Sequence, residues 1–287
     1  MEVAGKVVVV TGAAGGIGRA LVREFARHGV AGIAVADIDG PGAQKVAAEL
    51  VAAGTPAIGV RCNVGDEADV KVLVAETEAA FGPVDIFCAN AGIVIGGGVE
   101  VANEEWQRIW EVNVQSHIFA ARAVLPSMLE RGQGYLVHTA SAAGLLTQLG
   151  SAPYSVTKHA VVALAEWLSI THGDAGVRVS CLCPQGVWTA MTGAPDQDGT
   201  TNSDEPGSLA GSGEVMEKDF ATATAGRDGM MQPQEVARSV LAGIEREEFL
   251  ILPHAEVASY EQRRAGDRER WLRGMRRLQA SVFAPPS

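Results

Sequence analysis

The sequence predicts an α/β protein: a doubly wound, seven-stranded parallel sheet with helices on both faces and a helical tail. Three observations carry this. Seven short apolar runs recur along the chain, helical stretches separate them, and a glycine cluster ends the first run where a helix begins. Apolar runs that alternate with helices build βαβ units, whose parallel sheet is covered on both sides.

The elements follow in order. "KVVVVT" (6–11) is the first strand. The helix after it carries Ile17, Leu21, Val22 and Phe25 on one face and stops near Gly29. "GIAVAD" (32–37) is the second strand, and 41–53 a second helix that ends at Gly54. "AIGVRC" (57–62), "VDIFCA" (84–89), "YLVHT" (135–139) and "VRVSCLC" (177–183) continue the theme, and "EFLILP" (248–253) makes the seventh run. The longest helical stretches are 103–130 and 154–175.

Length and composition bound the function. With 287 residues and 47% hydrophobic composition, the chain suits one sizeable core. A net charge of −11 argues against binding nucleic acid or an anionic membrane and favours a small-molecule partner. No apolar run approaches the roughly 20 residues that span a bilayer. The start, "MEVAGKVVVVTG", lacks the pattern of a signal peptide. Cys62, Cys88, Cys181 and Cys183 form no metal-binding spacing and read as buried, reduced thiols. A cytoplasmic protein with no metal is the expectation.

Two segments break the rhythm. Residues 190–228 are rich in Gly, Ser, Thr and Asp, with eight acids against Lys218 and Arg227, and read as a loop over the substrate. The tail, 254–287, holds seven arginines and four acids. Within it Trp271, Met275, Leu278 and Val282 fall on one face of a basic helix, which is expected to dock on this subunit or a neighbour. Residues 1–253 then make one unit, and 254–287 an extension.

"TGAAGGIG" (11–18) links the first strand to the first helix. Gly12, Gly16 and Gly18 allow a tight turn and a close approach of backbone to phosphate, and the helix dipole favours the negative charge. Asp37 ends the second strand, 19 residues after Gly18. An acid there accepts from ribose hydroxyls and repels the 2′-phosphate of NADP, so NAD is predicted over NADP. No basic residue precedes Arg19 in the loop, and Ile38 follows the acid.

These residues, in this order, resemble the short-chain dehydrogenase/reductase family over about residues 5–253. Besides the glycine loop, "ANAG" (89–92) is similar to an N-N-A-G stretch, with Ala89 at its first Asn. Asn113, Ser141, and Tyr154 with Lys158 in Y-x-x-x-K match the family's catalytic positions, and "PQGVWT" (184–189) is similar to P-G-x-V-x-T. The resemblance implies a Rossmann-type fold and a hydride-transferring oxidoreductase acting on an alcohol or ketone. It implies cofactor contacts from Gly12, Gly16, Ile17, Gly18, Asp37, Asn63, Val64, Asn90, Ala91, Gly92, Thr139, Tyr154, Lys158, Pro184, Gly186, Val187 and Thr189. Two departures stand out. Asn63 replaces an acid whose family role is to accept from adenine, and its amide oxygen can accept too. Gln185 replaces a glycine, which puts the geometry of that turn in question, since a non-glycine residue resists positive φ.

The chemistry implied is general acid/base work by Tyr154. A free phenol has a pKa near ~10, and a nearby ammonium favours the phenolate, so Lys158 one turn on is expected to lower it. Ser141 would stabilise the substrate oxygen. By resemblance, Asn113 would hold a water linked to Lys158, and Thr189 the carboxamide. His138 and His159 offer no Ser-His pair, and no nucleophile elbow surrounds Ser141, which disfavours a hydrolase. Ile95, Leu146, Gln148, Trp188 and Met191 are the expected substrate contacts. Largely apolar, they point to a neutral secondary alcohol or ketone of steroid-like or aryl-alkyl kind. Trp106, Ile109, Trp110, Phe119, Leu164 and Trp167 lie on helices that pair between subunits in the family, implying a homodimer or homotetramer. The alternatives are an NADPH-dependent carbonyl reductase of the same fold and a non-catalytic NAD-binding sensor or scaffold.

Overall fold

The structure, a computed structural model, describes residues 1–192 and 228–283. The predicted loop 190–228 therefore lies almost wholly outside the described residues.

Seven strands form one parallel sheet in the order β3-β2-β1-β4-β5-β6-β7. They are β1 (Val7–Thr11), β2 (Gly32–Asp37), β3 (Ala57–Arg61), β4 (Ile86–Ala89), β5 (Gly134–Thr139), β6 (Val177–Leu182) and β7 (Leu250–Ile251). The order reverses between β1 and β4, so a crevice opens beyond their carboxyl ends, the usual ligand site of such sheets. The last strand is shorter than its apolar run. It is an edge strand that meets only Cys181 and Leu182 of β6, and Pro253 follows it.

Alternation along each strand divides the core in two. Val9, Phe87 and Leu136 face the helices α3 (Glu67–Phe81), α5 (Ser116–Arg131) and α7 (Ala152–His172). Val8, Val10, Ile86 and Val137 face α1 (Gly16–Arg27), α2 (Gly40–Ala52) and α8 (Pro233–Arg246). The expected face of α1 is the one buried: Leu21, Val22 and Phe25 are fully covered, and Ile17 packs beside them. The four cysteines are buried free thiols.

The stretch 103–130 is not one helix. It runs as α4 (Asn103–Trp110), a π-helical turn over Glu111–Gln115, and α5. Such turns widen a helix at functional positions, and this one contains Asn113. The short α6 (Ala143–Leu146) precedes α7. The tail holds two helices, α9 (Glu256–Gly266) and α10 (Arg268–Val282). Asp267 separates them and caps the second by accepting from Arg270 N–H. Val257 anchors α9 in the core, while no residue of α10 is fully buried and its stripe is half-covered.

The structure also sorts the aromatic helix faces. Ile109 is core, whereas Trp110 (37% exposed), Trp167 (57%) and Ile170 (84%) face outward.

Candidate active site

The glycine loop is shaped by close approach. A Cβ at Gly12, where φ is +64°, would lie 2.9 Å from Ala91 Cα, and one at Gly18 would run into the Gly12 carbonyl. A Cβ at Gly16 would lie 3.2 Å from Thr189 Cγ2, so the 184–189 segment borders the loop. Asp37 Oδ2 accepts from Ala14 N–H at 2.9 Å, and its other oxygen accepts from Asp39 N–H. Burial raises the Asp37 pKa from its ordinary value, and those two amides counter it only in part. Asn63 Oδ1 accepts from Gly65 N–H at 3.2 Å, and Asp69 holds the Asn63 amide. Arg19, the first cation after the loop, reaches Glu49 of α2. A narrow glycine cradle, amides at a helix start and an acid at the end of β2 suit a dinucleotide, whose pyrophosphate the loop would hold and whose ribose Asp37 would receive.

The 89–92 stretch is tied to the end of β1. Thr11 Oγ1 accepts from the amides of Asn90 (3.0 Å) and Ala91 (3.1 Å). The Asn90 side chain donates to Thr11 O and accepts from Thr139 Oγ1. Thr11 escaped the sequence reading, although its place just before Gly12 was a signal.

Tyr154 and Lys158 owe their positions to the start of α7. Ser151 caps it, accepting from Tyr154 N–H at 3.3 Å and donating to Ile95 O at 2.6 Å. One turn on, Lys158 Nζ donates to Thr139 O at 2.9 Å and lies 5.6 Å from the Tyr154 ring centroid. Burial pushes the Lys158 pKa from 10.5 down to about 8. Burial also raises the Tyr154 pKa above its ordinary 10.0, and a hydrogen bond with Ser141 offsets part of this. In the chain without its cofactor, burial is thus the largest influence on the phenol, and Ser141 is the group that lowers its pKa.

Asn113 is fully buried. Its amide pairs with Ile93 in both directions, at 2.8 and 2.9 Å, and donates to Thr157 Oγ1 at 3.3 Å. A Cβ at Gly92 would lie 3.3 Å from both Asn113 Oδ1 and Lys158 Nζ, so both groups border the end of the 89–92 stretch. Thr157 is thus more than a spacer within Y-x-x-x-K, and so is Ser155, which holds the 148–151 loop through Gln148 and Ser151. Ser141 Oγ donates to Pro184 O at 3.4 Å, and Ala142 N–H bonds the same carbonyl at 2.8 Å.

Among the expected substrate contacts, Ile95 and Gln148 are joined to the start of α7 through Ser151 and Ser155. Leu146 ends α6 beside it. Trp188 and Met191 lie just before the first described stretch stops at Thr192. Gln185 does not take a positive φ, so the glycine is replaced without that strain.

Two buried histidines lie close by. His117 of α5 and His138 of β5 meet Nδ1 to Nδ1 at 2.9 Å, and neither Nε2 has a partner among the described residues. One proton lies between the two Nδ1 atoms, so when both rings are neutral they are opposite tautomers. Burial pushes His138 from 6.5 down to about 4, and His117 well below its ordinary value, where His138 and Lys158 add to the effect. The folded state thus refuses protons that the unfolded chain accepts near pH 6.5, so stability falls as the pH drops from there. For His138 alone the loss approaches roughly 3 kcal/mol by about pH 4. Denaturant midpoints measured across this range should fall steeply for wild type and less steeply for His138→Leu; equal slopes would exclude the pair as the cause.

A family model described as short chain dehydrogenase matches residues 6–199. A 1-deoxy-11-beta-hydroxypentalenate dehydrogenase of Streptomyces exfoliatus is 41% identical over 67% of this chain and 70% of its own. A meso-2,3-butanediol dehydrogenase of Serratia marcescens is 36% identical over 67% of this chain and 76% of its own. A 2,5-dichloro-2,5-cyclohexadiene-1,4-diol dehydrogenase of Sphingobium indicum is 39% identical over 66% and 76%. Among solved structures, a short chain dehydrogenase/reductase from Burkholderia phymatum in complex with NAD superposes with a TM-score of 0.82 and 31% identity. The match covers 100% of this chain and 99% of that one.

Proposed function

The chain belongs to the short chain dehydrogenase family, and from that premise we propose an NAD-dependent oxidoreductase that interconverts a neutral secondary alcohol and a ketone. The observation that carries this is the buried Lys158 ammonium, bonded to Thr139 O at the carboxyl end of β5 and beside the Tyr154 ring. When bound, the nicotinamide accepts or returns the hydride. The chain's own residues handle the proton. Tyr154 takes it from the substrate hydroxyl in oxidation and returns it in reduction. Burial keeps its phenol protonated at rest, which is the acid form, and Lys158 is the cation placed to favour the base form. Ser141, already bonded to Tyr154 and Pro184, orients the substrate oxygen and stabilises its charge. The Asn113 side chain is committed to Ile93 and Thr157, so it holds the π-helical turn, and a water link to Lys158 would run through its main chain.

Relatives named for a hydroxypentalenate, a butanediol and a chlorinated cyclohexadienediol support a secondary alcohol as substrate. Apolar Ile95, Leu146, Trp188 and Met191 support a neutral one. We propose a homo-oligomer formed through the outward face that carries Trp110, Val156, Trp167 and Ile170. No described helix is long and apolar enough to cross a membrane.

One observation favours the NADPH reading: Arg61 stands opposite Asp37 in the β2–β3 register. Its nearest acid is Asp69, at 4.0 Å. Asp37, which anchors the loop at Ala14, weighs more, and the NAD-bound neighbour supports it. A panel of secondary alcohols, followed by formation of reduced cofactor, tests both points. Neutral apolar alcohols should turn over with kcat/KM about tenfold or more higher for NAD than for NADP, and Asp37→Ser should narrow that ratio. A preference for NADP, or for a small anionic acid, would count against the proposal.

A further inference from the structure

His254 lies past β7, at the start of the extension, and is almost wholly buried. Its Nδ1 accepts from Gln185 N–H at 3.1 Å, and its Nε2 donates to Gly186 O, also at 3.1 Å. Donor and acceptor are thus both fixed, and only the neutral imidazole with its proton on Nε2 satisfies both bonds. Gly186 O also accepts from Met231 N–H at 2.9 Å. Immediately before these residues, Pro184 O receives Ser141 Oγ–H and Ala142 N–H. The imidazole therefore grips the segment between Ser141 on one side and Val187 to Thr189 on the other.

A second tie reaches the same segment from the extension. Gln185 Nε2 donates to Asp228 Oδ2 at 3.1 Å, and Tyr260 of α9 donates to Asp228 Oδ1 at 2.9 Å. The residue that replaces the family's glycine is thus held at its main chain by His254 and at its side chain by a carboxylate that Tyr260 orients.

We infer that His254 is a positioning residue for the cofactor: its neutral imidazole braces Gln185 and Gly186 so that the 184–189 segment and Ser141 keep the spacing that binding requires. This rests on the reading that this segment receives the nicotinamide. Protonation at Nδ1 would set two N–H groups against each other at Gln185 and release the brace. The charged groups facing the ring are Asp228 before α8, Glu235 of α8 and Glu256 of α9. All three favour the imidazolium, as does the bond to Gly186, but burial outweighs them and lowers the pKa below 6.5. The brace is therefore intact at neutral pH and lost on acidification.

The test is NAD affinity as a function of pH, measured by titration with wild type, His254→Asn and His254→Phe, each checked by thermal melting. Asn can present an acceptor near the Nδ1 position and does not titrate; Phe removes both bonds. Wild type should bind more weakly at about pH 5.5 than at about pH 8. His254→Asn should stay within a few-fold of wild type at the higher pH and lose the His254 part of the pH dependence. His254→Phe should weaken NAD about tenfold or more, through Kd and KM with a smaller change in kcat. A folded His254→Phe protein that binds NAD like wild type, or a pH dependence unchanged in His254→Asn, would overturn the inference alone. Wild type that binds neither NAD nor NADP would overturn the cofactor reading and this inference with it.

Discussion

Tyr154→Phe should lower turnover by about three to four decades while leaving NAD affinity within a few-fold of wild type. The substitution removes one oxygen. The ring stays in place at the start of α7, where the Ser151 cap fixes the backbone and Lys158 lies 5.6 Å from the ring centroid. Lys158 keeps its bond to Thr139 O, which does not involve the phenol. What disappears is the group that exchanges the substrate proton and the partner of Ser141. Because burial raises the phenol pKa, the base form is scarce at neutral pH, and alcohol oxidation by wild type should speed up with rising pH. The Phe variant should lack that rise in its residual rate. Turnover near that of wild type would refute the role given to Tyr154.

The parts of this arrangement that were legible in the sequence are those with a local signature. Apolar runs located all seven strands, because buried parallel strands need them. Gly12, Gly18 and the Tyr154–Lys158 spacing were legible because short-range geometry demands small residues at one place and a four-residue interval at the other. Features set by distant contacts were not. The apolar pattern of 103–130 reads as an unbroken helix, since the widening at Asn113 goes with a pairing to Ile93, 20 residues away, that the local pattern does not encode. The upward shift of the Tyr154 pKa depends on burial, which spacing does not encode. His254 carries no motif, and only the fold brings it to Gln185, 69 residues away.

Lys158→Met should abolish most turnover and yet stabilise the ligand-free protein. Lys158 is buried with no carboxylate partner among its described bonds, and its ammonium is compensated by one carbonyl. Burial holds its pKa at about 8 against an ordinary 10.5. The sign follows from proton uptake: between those values the unfolded chain binds the proton and the folded chain does not, so stability rises with pH across that window. At neutral pH the folded state still carries the charge, at a cost of roughly 3 kcal/mol. Methionine removes that cost and fills similar space, but leaves Thr139 O without its donor, which returns about 1–2 kcal/mol. A net gain of about 1–2 kcal/mol remains, worth a rise in Tm of a few degrees. Denaturation at neutral pH should show the variant ahead, and the gap should close as wild type is taken from about pH 8 to about pH 10.5. A variant less stable than wild type at neutral pH, or a gap that ignores pH, would show that Lys158 is held for packing. The expected outcome assigns its buried charge to Tyr154, a destabilising group kept where the proton transfer needs it.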